Sequence, residues 1–218
     1  MNNSGGVVTG IVKELKDPDK MGRIKVTFKW MSEEETLSNW ARIAVPMAGG
    51  SRGTQFMPEE GDEVLLAFEH GSQRFPYIIG FLWNGEDKQP REEKLSVRTI
   101  QTVSGHYLEF DDTDKEEKIS LKFKGETPSI VIDEKTVNIV TTDGHLVSVD
   151  DENKNISLKF GGESPSIVME EGKITLKVGE DSSIVMEEKT IKIEADGSSI
   201  ELTGDAITVS STKIDLNP

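Results

Sequence analysis

The sequence predicts an all-β protein in which an N-terminal barrel is followed by a repetitive β-helix. The first observation is a repeat: ISLKFKGETPSIVIDE at residues 119–134 returns as ISLKFGGESPSIVMEE at residues 156–171, with twelve of sixteen positions identical. The second is a series of five strand-like segments in residues 7–83, joined by turns and one glycine-rich crossover. Five short strands with such a crossover are typical of a small closed or partly open barrel.

The five barrel strands can be placed by their alternation and their turns. Asp17-Pro18-Asp19 turns the first strand into the second, and together they form a hairpin. The second strand alternates with Ile24, Val26, Phe28 and Trp30 on one face. Residues 1–6 are expected to be a flexible arm, and residues 47–54 a glycine-rich connection. The predicted strands are Val7–Leu15, Arg23–Trp30, Trp40–Val45, Gly61–Glu69 and Pro76–Trp83.

The C-terminal repeat unit is a strand, a turn, a second strand and another turn. A third copy, one residue shorter, occupies residues 174–188, and apolar residues alternate with polar ones within each strand. Period two indicates strands that are buried on one face, and the intervening glycines and acidic clusters indicate tight turns. Such a repeat predicts a solenoid or β-helix. Strands should start near Ile119, Val137, Ile156, Ile174, Ile191 and Ile207.

This ribbon of strands is too narrow to bury its own apolar side. After Phe123 its one remaining aromatic residue is Phe160, and isolated two-stranded units are marginal in water. Either the chain coils on itself as a monomeric β-helix, or several chains wind together and cover one another. Because the unit of 16–19 residues is shorter than the roughly 20 or more that a three-sided coil needs, intertwined chains are favoured.

Charge is distributed unevenly along the chain. Residues 1–100 hold 15 acidic and 13 basic residues, whereas residues 101–218 hold 25 acidic and 12 basic ones. An acidic repeat argues against binding nucleic acid or an anionic membrane electrostatically, and its charges are expected to be solvated outward faces. The absence of cysteine excludes disulfides. Without a long apolar run or a signal-like start, we expect synthesis and assembly in the cytoplasm.

Several motifs resemble one known family. They are the Trp40-Ala41-Arg42 entry, the turn PEEGDEV at residues 58–64, the turn FEHG at residues 68–71, the closing strand from Pro76-Tyr77 to Trp83-Asn84-Gly85, and the junction from Ser104-Gly105-His106 to Phe110-Asp111-Asp112. Together they resemble the central spike proteins of contractile tails. This family comprises the baseplate assembly protein V family of myophages and tailocins and the valine-glycine repeat proteins of type VI secretion.

The resemblance implies an OB-fold barrel at residues 7–88, a junction at residues 89–105 and a β-helical spike at residues 106–218. It implies a homotrimer whose chains wind into a triangular needle, a structural rather than enzymatic protein. Inward trimer-core residues are predicted to be Ile119, Leu121, Phe123, Ile130, Ile132, Ile156, Leu158, Phe160, Ile167, Ile191, Ile193, Ile200 and Leu202, with Ile207 and Val209 beyond them.

The resemblance also implies partners. The barrel end should seat on a baseplate hub, and the C-terminal end should be capped by a PAAR-type tip protein, with the target membrane contacted transiently. Such a spike is assembled in the cytoplasm and becomes part of the tail or injection-system particle. The sequence leaves open whether the particle is a phage, a tailocin, or an extracellular or type VI-like system. Residues assigned to the tip contact are Ile207, Val209, Ile214, Leu216, Asn217 and Pro218.

Other functions find little support in the residues. Gly49-Gly50-Ser51-Arg52-Gly53 lacks the phosphate-binding arrangement and predicts a structural loop. The three histidines, His70, His106 and His145, are too far apart in sequence for a close metal-ligand pair; hydrogen bonds to backbone are expected at His70 and His106. Paired carboxylates such as Asp111-Asp112 lie in turns without an apolar setting. We therefore expect no cofactor, no metal and no enzyme.

One alternative from a different functional class stays open. The chain could be the shaft of a trimeric fibre or adhesin whose OB domain binds a ligand. A receptor-binding fibre would be expected to carry a distinct terminal head, and the repeat continues to residue 218. The spike interpretation is therefore preferred on sequence grounds.

Overall fold

The computed structural model describes residues 6–28, 37–91, 94–162 and 164–214. The chain divides into two units, Met1–Gln89 and Pro90–Pro218. Within the described ranges both units are built from strands, and the only helical element is a short 3₁₀ turn, Glu69–Gly71. The all-β prediction is therefore confirmed.

The first unit contains a five-stranded sheet in the order β2-β1-β6-β7-β3. Ile24 directly precedes β2, and Ala41 directly precedes β3, the two outer strands. The two residues exchange backbone hydrogen bonds of 3.0 and 2.7 Å. These bonds join the two outer edges, so the sheet closes into a barrel as predicted. Its strands are β1 (Val8–Glu14), β2 (Lys25–Thr27), β3 (Arg42–Ile43), β6 (Glu63–Phe68) and β7 (Pro76–Leu82).

The predicted glycine-rich connection contains a small hairpin of β4 (Ala48–Gly49) and β5 (Arg52–Gly53). Gly53 has a φ of +153°, and a Cβ there would lie 2.6 Å from the carbonyl oxygen of Met47. Only glycine fits this approach. The loop interpretation of residues 49–53 therefore gains a structural reason.

Alternation along the strands places the barrel core. Ile24, Val26 and Phe28 are buried as predicted, while Trp30 lies outside the described residues. Gly10 lets β1 pass close to the core, because a Cβ there would be in tight contact with Leu66 and Val26 at 3.0 and 3.1 Å. The buried core comprises Val12, Ile24, Val26, Phe28, Ala41, Val64, Leu66, Phe68 and Ile78.

The turn between β1 and β2 is organised by the carboxylate of Asp17. It accepts hydrogen bonds from the backbone N–H groups of Asp19 and Met21 at 3.1 and 2.9 Å, and from the Arg23 guanidinium at 2.9 and 2.7 Å. Its side chain is only 3% exposed. The Arg23 guanidinium, aided by the backbone donors, holds the pKa of Asp17 well below its ordinary value of 3.8.

The second unit is a single antiparallel sheet of thirteen strands, in which each strand pairs with the next one along the chain. We name this sheet the meander. Parallel pairing of successive coils, expected of a monomeric β-helix, is absent from its described strands.

The first seven strands are β8 (Val97–Gln101), β9 (Tyr107–Asp111), β10 (Lys118–Lys122), β11 (Ser129–Asp133), β12 (Thr136–Val140), β13 (Leu146–Asp150) and β14 (Asn155–Lys159). The last six are β15 (Ser166–Glu170), β16 (Lys173–Val178), β17 (Ser182–Glu187), β18 (Ile191–Ala195), β19 (Ser198–Leu202) and β20 (Ile207–Ser210).

The strand, turn, strand, turn unit read from the sequence is thus observed. Each predicted strand start lies in or one residue beside a strand of the meander. The first strand, β8, lies within residues 89–105, the predicted junction between barrel and spike. In the structure this segment already contributes a strand to the sheet.

One side of the meander is polar, with small residues in the middle of its strands. Ser120, Ser148 and Ser157 are buried there although they are hydrophilic. Each is flanked along its strand by longer polar or apolar side chains, such as Lys118 and Lys122 around Ser120, which cover it. Ser148 also donates a 2.7 Å hydrogen bond to the Asn138 side chain on the neighbouring strand.

An ionic network covers the polar side at the start of the meander. The Arg91 guanidinium donates a 2.7 Å hydrogen bond to Glu109 and lies 4.9 Å from the centre of the Tyr107 ring. The Glu109 side chain is 12% exposed, so Arg91 both covers and neutralises it. A second pair, Arg98–Asp112, is well exposed and lies on the other side of the sheet, since Arg98 is paired directly with Phe110.

We predict that Asp17→Asn destabilises the barrel. The amide cannot replace the charge-assisted bonds to Arg23, so the Tm should fall clearly more than in the control Asp19→Asn, whose side chain is 65% exposed. Because folding lowers the pKa of Asp17, its contribution is complete above about pH 4 and is lost as the pH falls through the folded value. Tryptophan fluorescence reports this unit, since Trp30, Trp40 and Trp83 all belong to it. Equal Tm values for both variants, or a difference that grows on acidification, would contradict the prediction.

We predict that Arg91→Ala loosens the first strands of the meander. It leaves the nearly buried Glu109 carboxylate without its partner, which should cost about 1–3 kcal/mol. Arg98→Ala removes an exposed pair and should cost less than about 1 kcal/mol. Hydrogen exchange of the β8 and β9 amides measures both effects, and similar protection in the two variants would refute the role given to Arg91.

Candidate functional site

The other side of the meander carries two unbroken rows of large apolar residues, which we name the apolar face. Directly paired residues share one side of a sheet, so the register continues each row from strand to strand. The first row runs through Phe110, Ile119, Ile132, Val137, Val149, Ile156, Met169, Ile174, Met186, Ile191, Leu202 and Ile207. The second runs through Ile100, Leu108, Leu121, Ile130, Ile139, Val147, Leu158, Ile167, Leu176, Ile184, Ile193, Ile200 and Val209.

The residues predicted as trimer core all belong to the apolar face, where Phe123 and Phe160 extend it past the ends of β10 and β14. The chain itself buries none of them: their exposure ranges from 37% at Ile130 and Ile167 to 62% at Phe160, and Leu202 is half-buried. The structure therefore brings these residues together on one surface. Their contact with other chains stays a prediction.

The sequence reasoning missed about half of this surface. Val137, Ile139, Val149 and Leu176 are absent from the predicted core residues, although they continue the two rows. The sequence does contain a signal for these residues, because the same period-two alternation also runs through the strands that lie between the copies of the repeat. Combining that alternation with antiparallel pairing would have identified them.

The large side chains of the apolar face are left exposed, for example 42% at Ile119 and 51% at Leu121. An apolar surface of this extent marks an interaction site.

Two histidine–phenylalanine pairs lie along one edge of the apolar face. His106 packs against Phe123 with ring centres 4.2 Å apart, and His145 stacks on Phe160 at 4.0 Å with an interplanar angle of 19°. The expected backbone bond is observed at His106, whose Nδ1 accepts the N–H of Lys124 at 3.1 Å. The stacking was not foreseen, and its sequence signal is the repeated Gly-His at residues 105–106 and 144–145.

The same turn presents both histidines. In each, a threonine four residues earlier accepts the histidine backbone N–H at 3.1 Å through its hydroxyl: Thr102 for His106 and Thr141 for His145. The two sites differ at Nδ1, since that atom of His145 is buried without a hydrogen-bond partner among the described residues. Gly161, which corresponds to Lys124, has a φ of +61°.

Carboxylates at the opposite edge of the meander serve as acceptors in turns. A hydrogen bond from the Thr113 hydroxyl lowers the pKa of Asp111, one from the Thr136 hydroxyl lowers that of Asp133, and one from Asn153 lowers that of Asp150. A general acid needs a raised pKa, whereas the pKa of each of these carboxyl groups is lowered. Their hydrogen bonds are therefore suited to holding turns. The described residues contain no group of three or more side chains arranged to bind a metal ion.

The predicted tip residues are only partly described. Ile207 and Val209 lie on β20, the last strand of the meander, and are 71% and 49% exposed. Ile214 is also exposed, whereas Leu216, Asn217 and Pro218 lie outside the described residues. Among the described strands, β20 pairs with β19 alone, so within this part of the chain its other edge is an edge of the sheet.

The barrel also has aromatic residues at its surface. Trp83 is 69% exposed, and Trp40 is half-buried beneath Lys25, whose ammonium lies 4.6 Å from its ring centre. Lys25 and the nearby Arg23 are already ion-paired with Glu14 and Asp17. Within the described ranges, no helix has both the length and the apolar character needed to cross a membrane.

Comparison with known proteins connects this geometry to a family. Residues 8–83 match the family model described as the type VI secretion system/phage-baseplate injector OB domain. The chain is 28% identical over 138 residues to the type VI secretion system spike protein VgrG3 of Vibrio cholerae, an alignment that covers 59% of this chain and 14% of that protein. It is 34% identical over 89 residues to the spike protein VgrG1a of Pseudomonas aeruginosa, covering 39% of this chain and 14% of the relative.

A third relative extends the same pattern. The Pseudomonas aeruginosa spike protein VgrG1c is 34% identical over 101 residues, which is 45% of this chain and 14% of that protein. The aligned region is thus about one seventh of each relative. The similarity to spike proteins agrees with the predicted family. The resemblance to central spike proteins is therefore confirmed, and it is carried by residues 8–83, which match the injector OB domain of type VI secretion systems and phage baseplates.

Proposed function

We propose that this chain is the central spike of a contractile tail or injection-system baseplate. Three copies associate: their barrels surround a three-fold axis, and their repeats wind into a triangular needle. Contraction of the sheath drives this needle through the envelope of the target cell. The observation that carries the proposal is the apolar face, which extends over the whole meander and which the described residues leave exposed.

Association would bury the two apolar rows in a shared core. Burial of a large aliphatic side chain stabilises by about 1.5–3 kcal/mol, and every strand of the meander contributes one or two such residues. A core shared by three chains resists separation of any one of them, because displacing a strand exposes apolar residues of its neighbours. The needle can then transmit an axial load without unravelling.

The polar side of the meander would face water around the needle. Its charges include the ion pair Lys192–Glu194 at 2.6 Å along β18, and Lys135–Glu152 at 3.2 Å joins two turns at the edge of the sheet. The net charge of residues 101–218, with 25 acidic against 12 basic residues, would keep the needle solvated and oppose adsorption to anionic lipid. Contact with the target membrane would thus be transient.

The two ends of the spike would have different partners. The injector OB domain would seat on a baseplate hub at the end of the inner tube. At the other end, the open edge of β20 and its exposed Ile207 and Val209 would be covered by a PAAR-type tip protein. The particle would assemble in the cytoplasm, and the chain would act as a mechanical component without a catalytic role.

We predict that the purified chain is a trimer of three times 24.1 kDa by light scattering. A truncation ending at Gln89, the boundary between the two units, should lose this association because it lacks the apolar face. A monomeric full-length chain would overturn the spike proposal and favour a single-chain shaft or binding module.

We predict that assembly shields the apolar face from a thiol reagent. The chain has no cysteine, so a single substitution reports one position. Leu158→Cys should react with maleimide at least about tenfold more slowly than Glu171→Cys, because modification at Leu158 requires opening of the assembly. Glu171 is the matched control, lying in a turn with its side chain 87% exposed. Leu158 is 41% exposed in the single chain, so comparable rates would show that the face is uncovered.

A further inference from the structure

A turn just beyond the last barrel strand contains an asparagine followed by a glycine. Asn84 and Gly85 form the only Asn-Gly pair in the sequence, and they follow β7, which ends at Leu82. Asn84 is half-buried, whereas Gly85 is exposed. The proposed spike gives this turn no role, although it lies shortly before Gln89, where the first unit ends.

The side-chain amide of Asn84 is held at both of its polar atoms. Its Oδ1 accepts the backbone N–H groups of Glu86 and Asp87, both at 2.8 Å. Its Nδ2 donates a 3.0 Å hydrogen bond to the Asp87 carboxylate. Hydrogen bonds to a carbonyl group lie near its plane, so these contacts leave the two faces of the amide carbon open.

The backbone nitrogen of Gly85 is the nearest nucleophile to this amide carbon. Only the carbonyl carbon, Cα and Cβ of Asn84 separate it from Cγ, so a bond between the two atoms closes a small ring. Among the described residues the N–H of Gly85 has no hydrogen-bond acceptor, and its proton can therefore pass to water. Glycine also has no side chain that would hinder the approach.

The reaction that this arrangement allows is loss of ammonia from Asn84. The Gly85 nitrogen gives its proton to water and forms a bond to Cγ, and an electron pair of the carbonyl group moves onto Oδ1. Return of that pair breaks the bond between Cγ and Nδ2, and Nδ2 takes a proton from water and leaves as ammonia. Water then opens the resulting succinimide at either carbonyl carbon, which leaves aspartate or isoaspartate at position 84.

The turn stabilises both charges that develop along this path. Two backbone N–H groups already point at Oδ1, as in an oxyanion hole, where loss of one donor slows an enzyme about 10²–10³-fold. The Asp87 carboxylate lies against Nδ2 and forms a charge-assisted hydrogen bond once that nitrogen is protonated. We propose that Asn84 is a site of self-catalysed deamidation in the folded chain, assisted by Asp87, an inference that does not depend on the proposed spike.

The product would no longer fit the turn. A carboxylate at position 84 cannot donate the hydrogen bond that Asn84 gives to Asp87, and two carboxylates at this distance repel each other. Isoaspartate additionally lengthens the main chain by one carbon. Deamidation therefore opens the turn that follows β7 and adds negative charge beside it.

The test follows the mass of the full-length chain during incubation at mildly alkaline pH. Peptide mapping by mass spectrometry should show replacement of the amide by a carboxyl group at Asn84, at a rate that rises with pH. The native chain should react faster than the same chain unfolded in guanidinium chloride. Asp87→Ala should slow the native reaction at least about fivefold, because the charge-assisted bond to the leaving nitrogen is lost.

Two controls separate the chemistry of the pair from the effect of the turn. Gly85→Ala adds only a methyl group, which would have no other atom within 4 Å, and it should nearly abolish the reaction because it hinders the nucleophile. Asn153 is an internal control: its Nδ2 also donates to a carboxylate, that of Asp150 at 2.7 Å, but lysine follows it in the sequence. It should remain unmodified while Asn84 reacts.

Asp87→Asn provides a second variant, since it keeps the size of the side chain and removes its charge. It should slow the reaction as Asp87→Ala does. A native chain that reacts more slowly than the unfolded chain would show that the turn protects Asn84, and this result would overturn the proposal. Unchanged rates in both Asp87 variants would also overturn it. Neither result bears on the spike, which the solution mass tests separately.

Discussion

The second unit of this protein depends on one constraint, which is that its apolar face must be kept from water. Local pairing of neighbouring strands satisfies the backbone hydrogen bonds within the chain, so the peptide groups impose no need for a partner except at the two edge strands. The side chains do create a need for a partner, because two rows of aliphatic residues stay exposed to water after every strand has formed. Secondary structure is therefore complete in one chain, whereas the hydrophobic core is not.

The barrel, in contrast, buries its apolar residues within its own unit. Nine buried hydrophobic residues form a core that belongs to the first unit alone, and the bond between Ile24 and Ala41 closes the sheet. The Asp17 turn, with its guanidinium and backbone donors, fixes the connection of the first two strands. The unit can thus act as a preformed base to which an assembling repeat is attached, which suits the injector OB domains that it matches.

Period two in the sequence was enough to predict strands in both units, because residues such as Ile24, Val26 and Phe28 report directly on which side of a strand is buried. It did not predict that each strand of the second unit pairs with the next one along the chain. Strand ends were predicted too far out in the barrel: the second strand is Lys25–Thr27 within the predicted Arg23–Trp30. The first two residues of the predicted strand have other roles: Arg23 binds Asp17 in the turn, and Ile24 closes the barrel. The hairpin of β4 and β5 gave no alternation to detect, since two of its four strand residues are glycines.

The pairing of His106 with Phe123 and of His145 with Phe160 could not be read from periodicity. Each partner lies in a loop beyond a strand end, and the rings meet only because antiparallel pairing returns the chain to the same edge. The repeat did show that the two loops are equivalent. What it could not show was the left-handed conformation of Gly161, which stands where the first copy has Lys124.

Pairing between sequence neighbours also makes the meander extensible. Residues 119–134 and 156–171 occupy equivalent places four strands apart, so recombination between the two copies would add or remove an even number of strands. Strand direction and the side facing the core would both be preserved, and the sheet would change by about 19 Å. The length of this region can therefore vary over evolutionary time in fixed steps, independently of the barrel that carries it.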